Sequence, residues 1–407
     1  MKAQRKKERG LSCPPTTEPG LSSPGNDGLE NPSSVAAWTT VLVPDALERH
    51  SIGRENQILS ADIKPIGRFP VVDQGQAFIA GYCDEANRVI RNELPLVVFG
   101  DHTRCVKYVD FPFILGADGT KVLKPKAKLF DPRFFYFALR GLDIPNRGYN
   151  RHFTVLKEKS LPRPPLPEQQ KIAAVLGVVQ RAMEQQERLL ALTAELKKTL
   201  LHQLFTQGLR HEPQKQTVIG PVPESWEVVT IGDLFKFSSG KSRPADSVAV
   251  RSSSNPYPIF GGNGVLGYSG QYLFEEPLLL IGRVGEYCGC SHHTAGRAWV
   301  SDNALYAKEV YRATNTHYAM EYLNYANLNQ YRNQAGQPLI TQGVLSQVKM
   351  PLPPVDQQGE ILGPLTLLNR KLAVAKRKHA TLTAIFRTLL HELMTAKTRI
   401  HSIALNL

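Results

Sequence analysis

The chain contains an internal repeat, and this repeat constrains its fold more than any other feature of the sequence. Residues 161–209 align without a gap to residues 350–398 at an offset of 189, and 15 of the 49 positions are identical. Self-similarity at a fixed offset indicates a duplicated architecture, so each half predicts the organisation of the other. The identical positions include prolines, a glutamine, an isoleucine and the run TLLH: Pro164 and Pro353, Pro165 and Pro354, Gln169 and Gln358, Ile172 and Ile361, and residues 199–202 and 388–391.

Each repeated segment predicts a long helix with one apolar stripe. From Ile172 to Leu204, and again from Ile361 to Leu393, mostly apolar residues recur at alternating steps of four and three. A 3.5-residue period kept over about four to five heptads is typical of a coiled-coil seam. We therefore expect spacer helices within 161–208 and 350–397, paired antiparallel, with a globular domain at each end of the rod. The alternative, two ordinary amphipathic helices packed on their own domains, remains open at this point.

The start of each helix carries its own signals. Pro167 suits the first helical turn, where its missing N–H costs nothing. Asp356 is expected to cap the second helix with its carboxylate. Gly363 and Pro364 are expected to delay or kink that helix, because proline removes a backbone donor.

Two globular segments, 36–160 and 226–349, are also related, at an offset of 188. Trp38 faces Trp226, and Phe69 faces Tyr257. Each segment mixes short apolar strands, such as PLVVF and PLLLI, with Gly-rich turns and one aromatic helical pattern near its end, PRFFYFAL or THYAMEYLNY. We predict an α+β domain for each, a linker over 209–225, a short tail over 398–407 and a disordered basic tail rich in Pro, Ser and Gly over 1–35.

The charge predicts the class of partner. The net charge of +13 favours anionic partners, nucleic acid first and acidic membrane surfaces second. Five cysteines, odd in number and mostly scattered, fit a reducing cytoplasm better than a disulfide framework. No run approaches the roughly 18 apolar residues of a membrane span, so we expect no membrane partner and a cytoplasmic location.

Two short motifs were weighed as cofactor or metal sites. FGGNG, at 260–264, matches the F-x-G-x-G pattern of S-adenosylmethionine sites, but no N-P-P-Y-like catalytic tetrapeptide follows it. A turn or a DNA-facing loop is the favoured reading. CGCSHH, at 288–293, offers thiolates and imidazoles, but its spacing is too tight for the usual C-x₂₋₄-C pair. No metal site is therefore predicted, although Cys288, Cys290, His292 and His293 leave the question open.

Gly-containing polar loops with cations are the candidate DNA contacts. Arginine can bond a guanine edge with two hydrogen bonds, and lysine and hydroxyl groups reach phosphates. For the FGDHTR loop at 99–104 the alternative is a turn that stabilises the fold, and for any single residue of the other loops it is a solvated surface charge. Asp302 and Asn303 are alternatively residues that hold the fold. The candidates are Asp101, His102, Thr103, Arg104, Arg147, Tyr149, Arg151, Lys241, Arg243, Asn263, Arg283, Arg332, Asn333 and Gln334.

The order of these motifs resembles a known family, the specificity subunits of type I restriction-modification systems. The resemblance covers residues 36–397. It is carried by the repeated (L/M)PxPP(L/V)xxQ lead-in to each helix, GPVPESWEV at 220–228, YPIFGGNG at 257–264, FGDHTR at 99–104 and SDNA at 301–304. It implies a non-catalytic DNA reader with two target recognition domains, which read the two halves of a bipartite, asymmetric double-stranded DNA target.

The resemblance also implies partners and cofactors. The helices would form the conserved spacer and dock two adenine-N6 methyltransferase subunits, with nuclease/translocase subunits completing the restriction enzyme. S-adenosylmethionine, ATP and magnesium would belong to those partners, and this chain would bind none of them. The residues assigned to spacer and docking are Pro164, Pro165, Gln169, Ile172, Pro353, Pro354, Gln358 and Ile361.

Two other classes of function stay as alternatives. One is a self-contained methyltransferase or nuclease, against which the lack of both motif sets speaks. The other is a coiled-coil scaffold that binds DNA without sequence preference. A specific reader keeps a preference against competitor DNA, whereas a scaffold does not.

Overall fold

The chain divides into two compact units in a computed structural model that describes residues 37–146, 148, 150–333 and 337–400. Of the described residues, 37–171 and 399–400 form the first unit, and 172–398 form the second. Each unit mixes short strands with helices, which confirms the predicted α+β class. The 1–35 segment and the last seven residues lie outside the described ranges.

The first unit contains three small sheets, with strand orders β1-β9, β2-β7-β3-β4 and β6-β5-β8. Its strands are β1 (Thr39–Leu42), β2 (Gln57–Ile58), β3 (Phe69–Val72), β4 (Gly81–Cys83), β5 (Leu96–Gly100), β6 (Val106–Val109), β7 (Ile114–Gly116), β8 (Thr120–Leu123) and β9 (Ser160–Arg163). Its helices are α1 (Val43–Ala46), α2 (Pro132–Arg140) and α3 (Phe153–Lys157).

The core of the first unit forms around β5, whose five residues are all buried. Helix α2 is the predicted PRFFYFAL segment, and its aromatic side chains are buried. The carboxylate of Asp131 caps this helix by accepting from the backbone N–H groups of Arg133 and Phe134, while Pro132 occupies the first turn. The predicted strand PLVVF and helix are thus both confirmed.

Helix α4 (Leu166–Thr206) begins in the first unit and continues into the second. It starts later than the repeated segment because residues 160–163 are strand β9, which pairs antiparallel with β1. The proline-rich lead-in is therefore partly a strand. In the second unit, the lead-in forms the last strand, which pairs with the first strand of the globular segment in the same way.

The second unit contains four small sheets, with strand orders β10-β11, β12-β20, β13-β19-β16-β17 and β15-β14-β18. Its strands are β10 (Gln214–Thr217), β11 (Gly220–Pro223), β12 (Glu227–Thr230), β13 (Phe235–Ser239), β14 (Tyr257–Gly261), β15 (Gly264–Ser269), β16 (Leu279–Gly282), β17 (Ser291–His293), β18 (Trp299–Val300), β19 (Ala304–Val310) and β20 (Lys349–Leu352). Its helices, besides α4, are α5 (Ile231–Leu234), α6 (Thr316–Tyr325), α7 (Gln342–Gln347) and α8 (Val355–Met394). Strand β16 and helix α6 confirm the predictions made from PLLLI and THYAMEYLNY.

Two expectations about helix α8, a cap by Asp356 and a start delayed by Gly363 and Pro364, were wrong, while the expected kink stays a prediction. Pro354 occupies its N-cap position without a side-chain cap, and Asp356 lies within the first turn, where its carboxylate pairs with Arg210 at 2.8 Å. The helix also continues through Pro364 instead of starting after it. Ile361 and Leu365, on either side of Pro364, are buried in the core of the second unit, and this packing stabilises α8 at a position where proline disfavours helix.

Each long helix contacts its globular domain through a buried glutamine. The residue before that glutamine accepts a hydrogen bond from a tryptophan. Gln169 Oε1 accepts from Asp131 N at 2.9 Å, and its Nε2 donates to the carbonyl oxygens of Leu129 and Pro164. One position earlier, Glu168 accepts from the indole N–H of Trp38. The side chain of Gln169 is fully buried, so these bonds satisfy main-chain groups that water cannot reach.

The start of α8 is held in the same way by the corresponding residues of the repeat. Gln358 Oε1 accepts from Asn315 N at 2.8 Å, and Nε2 donates to the Pro353 carbonyl oxygen. Asn315 is the N-cap of α6, as Asp131 is of α2. Gln357 accepts from the indole N–H of Trp226. The duplication is therefore visible in hydrogen bonds as well as in sequence.

An arginine beyond each long helix extends this correspondence by one residue past the aligned segments. Arg210 pairs with Asp356 and Glu360 at 2.8 and 2.9 Å. At the same 189-residue offset, Arg399 bonds both carboxylate oxygens of Glu168, at 2.7 and 3.0 Å, and its guanidinium lies over the Trp38 ring. The segment predicted as a tail is thus anchored through its first residues, and Ile400 is buried.

No helix among the described residues has both the length and the apolar content needed to span a membrane.

Candidate nucleic-acid interface

Three loops meet at one edge of the first unit. They are the β3–β4 connection at 73–80, the turn after β5 at 101–105 and the turn after β7 at 117–119. Glycine at position 119 lets the turn after β7 lie directly against His102. Its φ is +61°, and a Cβ at this position would lie 2.6 Å from the His102 ring. Gln74 joins the first two loops: its Oε1 accepts from His102 N at 3.2 Å, and its carbonyl oxygen accepts from the Thr103 hydroxyl.

The predicted residues of the FGDHTR loop lie in different environments. Asp101 is buried, and its Oδ1 accepts from Phe153 N at 2.8 Å, so its carboxylate holds the start of α3. Arg104 adopts a left-handed backbone conformation and donates to the Ile144 carbonyl oxygen. His102 and Thr103 are half-buried between the loops. A DNA role for these four residues stays a prediction.

The remaining predictions in the first unit concern the NRGYNRH loop. Arg151 is exposed, and its carbonyl oxygen accepts from the Thr154 hydroxyl. Arg147 and Tyr149 lie outside the described residues.

Lys107 in β6 is a buried cation beneath the loops, and sequence reasoning did not single it out. It is 5 % exposed, and its ammonium donates to the carbonyl oxygens of Asp73 and Ala77 at 2.8 and 2.6 Å. It also lies 3.4 Å from Asp73 Oδ1. Burial lowers the pKa of Lys107, while the Asp73 carboxylate opposes that shift.

In the second unit, glycines likewise bring loops together around the FGGNG turn. A Cβ on Gly282 would overlap the Gly262 carbonyl group, so the end of β16 and the turn after β14 are in direct backbone contact. Arg283 N donates to the Asn303 carbonyl oxygen, and its guanidinium donates to Ser239 Oγ at 3.1 Å. FGGNG therefore forms a turn between β14 and β15.

The structure brings several predicted residues to this edge. The backbone N–H of Asp302 donates to the Lys241 carbonyl oxygen, which places the SGKSRP loop beside the turn before β19. The side chains of Lys241, Arg243 and Asn263 are exposed, and that of Arg283 is half-buried. This edge therefore carries the cationic side chains of Lys241, Arg243 and Arg283 beside the amide of Asn263. It suits phosphate contacts and hydrogen bonds to base edges.

The loop after α6 borders the same edge. Gly285 N donates to the Pro338 carbonyl oxygen, and Asn333 exchanges two hydrogen bonds with the backbone of Leu339. Arg332 is exposed, and Gln334 lies outside the described residues. The Asn333 amide therefore shapes this loop, while Arg332 is available to a ligand.

The CGCSHH segment holds no recognisable metal centre. No group of three or more potential ligands is assembled within the ranges that the structure describes. His293 bonds Thr294 and Thr316 and stacks on His317, and burial lowers its pKa. Burial raises the pKa of the Cys288 thiol, which favours the thiol over the thiolate that a metal needs.

Comparison with known proteins identifies the family. The model of the type I restriction modification DNA specificity domain matches residues 62–194 and 223–384, well over half of the chain and once in each repeat. The chain belongs to the type I restriction-modification DNA specificity family. It is therefore the DNA specificity subunit of such a system, and not its methyltransferase or nuclease.

Individual specificity subunits show the same relationship. The chain is 24 % identical over 312 residues to a Methanocaldococcus jannaschii chain named as the MjaX type I restriction enzyme specificity subunit, covering 71 % of this chain and 73 % of that one. It is 32 % identical over 130 residues to the EcoprrI specificity subunit of Escherichia coli, about a third of each. The crystal structure of the type I restriction-modification S subunit from M. genitalium matches in fold with a TM-score of 0.67 and 19 % identity, over 90 % of this chain and 98 % of that one.

Proposed function

We propose that this specificity subunit reads a bipartite, asymmetric double-stranded DNA target, one half with each globular unit. The observation that carries the proposal is that a duplicated framework presents two loop edges with different side chains. In the first unit, the edge holds His102, Thr103 and Arg104, and in the second it holds Lys241 and Arg283. Because different side chains read different base edges, the two half-sites should differ.

Helices α4 and α8 act as the spacer between the half-sites, as an antiparallel coiled coil with pseudo-two-fold symmetry. Leu204 and Phe205, near the end of α4, share one hydrophobic core with Ile361 and Leu365, near the start of α8. A core that contains the end of one helix and the start of the other supports antiparallel pairing. Further along the helices, Gln186, Ala375 and Phe386 are buried at or near seam positions.

The partner subunits dock on the exposed apolar positions of this spacer. Val178 and Leu367 are 50 % and 55 % exposed, and they correspond at the 189-residue offset. Leu196 and Ile385, 55 % and 43 % exposed, correspond in the same way. Paired apolar positions that face water suit two copies of one partner. We assign them to two adenine methyltransferase subunits, with the nuclease/translocase subunits completing the assembly.

The residues assigned to spacer and docking differ in exposure. Gln169, Ile172, Gln358 and Ile361 are at most 1 % exposed, which supports a spacer role, whereas Pro165 and Pro354 are exposed. The chemistry of methyl transfer and cleavage belongs to the partners, which bring S-adenosylmethionine, ATP and magnesium. Because the ligand is DNA, the assembly works in the cytoplasm and needs no membrane partner.

Single-molecule sequencing of genomic methyladenine tests this function. Deleting the gene should remove methylation at one bipartite motif, and restoring it should bring the motif back. Exchanging residues 36–150 for the same segment of another specificity subunit should change one half of the motif and keep the other. Unchanged methylation after deletion would contradict the proposal.

A further inference from the structure

The β3–β4 loop of the first unit has a fixed base. Lys107 Nζ bonds the carbonyl oxygens of Asp73 and Ala77, and so ties two points of the loop to strand β6. Asp73 Oδ1 accepts from Gly75 N at 2.8 Å, which holds the turn between those points. Gln74 is bonded in turn to the backbone of His102 and the hydroxyl of Thr103. A buried cation that bonds main-chain oxygens preorganises a loop without using the loop's own side chains.

The tip of the same loop is exposed. Gln76 and Ala77 are exposed, and Phe78 is 46 % exposed, with its ring edge-on to Phe111 at 5.9 Å. Phe78 thus lies at an exposed loop tip, with its ring packed in part on Phe111 and the exposed part open to a ligand.

The chemistry of this tip suits DNA bases. A glutamine amide can form two hydrogen bonds to adenine, and a phenyl ring contacts a thymine methyl group or wedges between base steps. The loop is bonded to the FGDHTR turn, so the two present one continuous edge. Gln76 and Phe78 add base-reading groups to an edge whose other candidates include the arginine Arg104.

The hairpin of the second unit that corresponds to β3–β4 has a shorter turn. When PLVVF at 95–99 is aligned with PLLLI at 277–281, Val98 of β5 corresponds to Leu280 of β16. Their partners on the neighbouring strands β6 and β17 are Lys107 and His292. His292 faces the turn after β14, where its Cε1 lies 3.5 Å from the Cβ position of Gly264. That turn holds only Gly262 and Asn263, whereas residues 73–80 connect the corresponding strands of the first unit. A nitrogen-bearing side chain, buried in the first unit and half-buried in the second, thus lies beneath the hairpin in both units, while the hairpin itself changes in length.

We infer that the loop at 73–80 is a specificity-determining element of the first recognition domain, with Gln76 and Phe78 contacting bases, and that Lys107 is the positioning residue that holds it. This inference rests on the proposed function. It adds residues that family membership does not assign. It also predicts that one half of the target is read in part by a hairpin tip that the other unit lacks.

The test uses the assembled methyltransferase complex and the motif that the wild-type complex methylates. Affinity is measured for the native duplex and for duplexes with either half of the motif altered, with the variants Gln76→Ala/Phe78→Ala and Lys107→Met. Both variants should lose about ten-fold or more of the discrimination at one and the same half, the scale of a lost base contact. Discrimination at the other half should be kept.

Ile66→Ala is the matched control. Ile66 is 84 % exposed and lies before β3, at the opposite end of the hairpin from the loop. Wild-type discrimination at both halves in Gln76→Ala/Phe78→Ala would overturn the reading role, and wild-type discrimination in Lys107→Met would overturn the positioning role. Equal loss at both halves would overturn both roles, since a general loss of structure or affinity explains it. A wild-type complex without any motif would instead contradict the proposed function.

Discussion

Gln169 and Gln358, 189 residues apart, each accept a hydrogen bond from the backbone N–H of a helix N-cap residue, at 2.9 and 2.8 Å. Each also donates to the carbonyl oxygen of the proline five residues before it. Two buried amides thus perform the same task, which is to fix the start of a long helix against the aromatic helix of a recognition domain, α2 or α6.

Gln358→Ala should destabilise the chain. The substitution leaves the N–H of Asn315 and the carbonyl oxygen of Pro353 without their partner in a buried site, which costs about 1–3 kcal/mol. Urea denaturation should show this as a lower midpoint. Gln347→Ala, at an exposed position at the end of α7, is the control and should change stability by less than about 0.5 kcal/mol. Equal effects of the two substitutions would contradict the role of the buried amide.

Phe205→Ala should separate the end of α4 from the second recognition domain. The Phe205 ring is 2 % exposed and lies 5.3 Å, edge to face, from the ring of Tyr322. Removing a buried phenyl ring costs about 3–5 kcal/mol. The measurement is thermal unfolding followed by circular dichroism. Leu192→Ala removes a side chain that is 55 % exposed on the same helix, and it should leave unfolding nearly unchanged.

The Asp356–Arg210 pair should contribute stability that depends on pH. The hydrogen bond from Arg210 lowers the pKa of Asp356 below its ordinary 3.8, so near that pH the folded chain binds fewer protons than the unfolded chain. The contribution is complete above pH 3.8 and is lost as the pH falls through the folded pKa. Denaturation of Asp356→Asn and wild type should therefore differ most at neutral pH and converge in acid.

Lys241→Ala should weaken DNA binding uniformly across sequences. We expect the exposed Lys241 in the SGKSRP loop to contact phosphate, which carries no base information, so its removal should lower the salt slope of the assembled complex by about one. Titrations of labelled duplex at several salt concentrations measure this slope. Lys349→Ala, on the exposed face of β20, is the charge-matched control. A change in the preferred sequence would show instead that Lys241 reads a base.

Leu196→Ser and Ile385→Ser should impair assembly with the methyltransferase while leaving the fold intact. Both side chains are exposed in the isolated chain, so their loss removes apolar area only from the proposed interface. Burial of about 25 cal/mol per Å² implies a weakening of the order of ten-fold for each. Sizing of the mixed subunits tests this. Normal assembly of the double variant would place the interface elsewhere.

The sequence predicted the repeated elements well because their signals are local. The period of apolar residues predicted α4 and α8, and the helical spacing of aromatic residues predicted α2 and α6. The continuation of helix α8 through Pro364 was not predictable in this way, because contacts with residues distant in sequence stabilise that part of the helix.

The candidate site was predicted less completely. Glycine and arginine mark loops in a sequence, and they led to Lys241, Asn263 and Arg283. Lys107 was missed because only the folded chain brings its ammonium under the carbonyl groups of residues 73 and 77. Phe78 was missed because an isolated aromatic residue is more often part of a core than of an exposed tip.

The side-chain amides of Gln169 and Gln358 form their hydrogen bonds with main-chain atoms. The N–H and C=O groups that these amides bind are present whatever side chain a domain places there, apart from the missing N–H of proline. A domain with unrelated loops can therefore be attached without redesigning the attachment. The recognition domain is thus the exchangeable part of the chain, and the attachment of the long helix is the constant part.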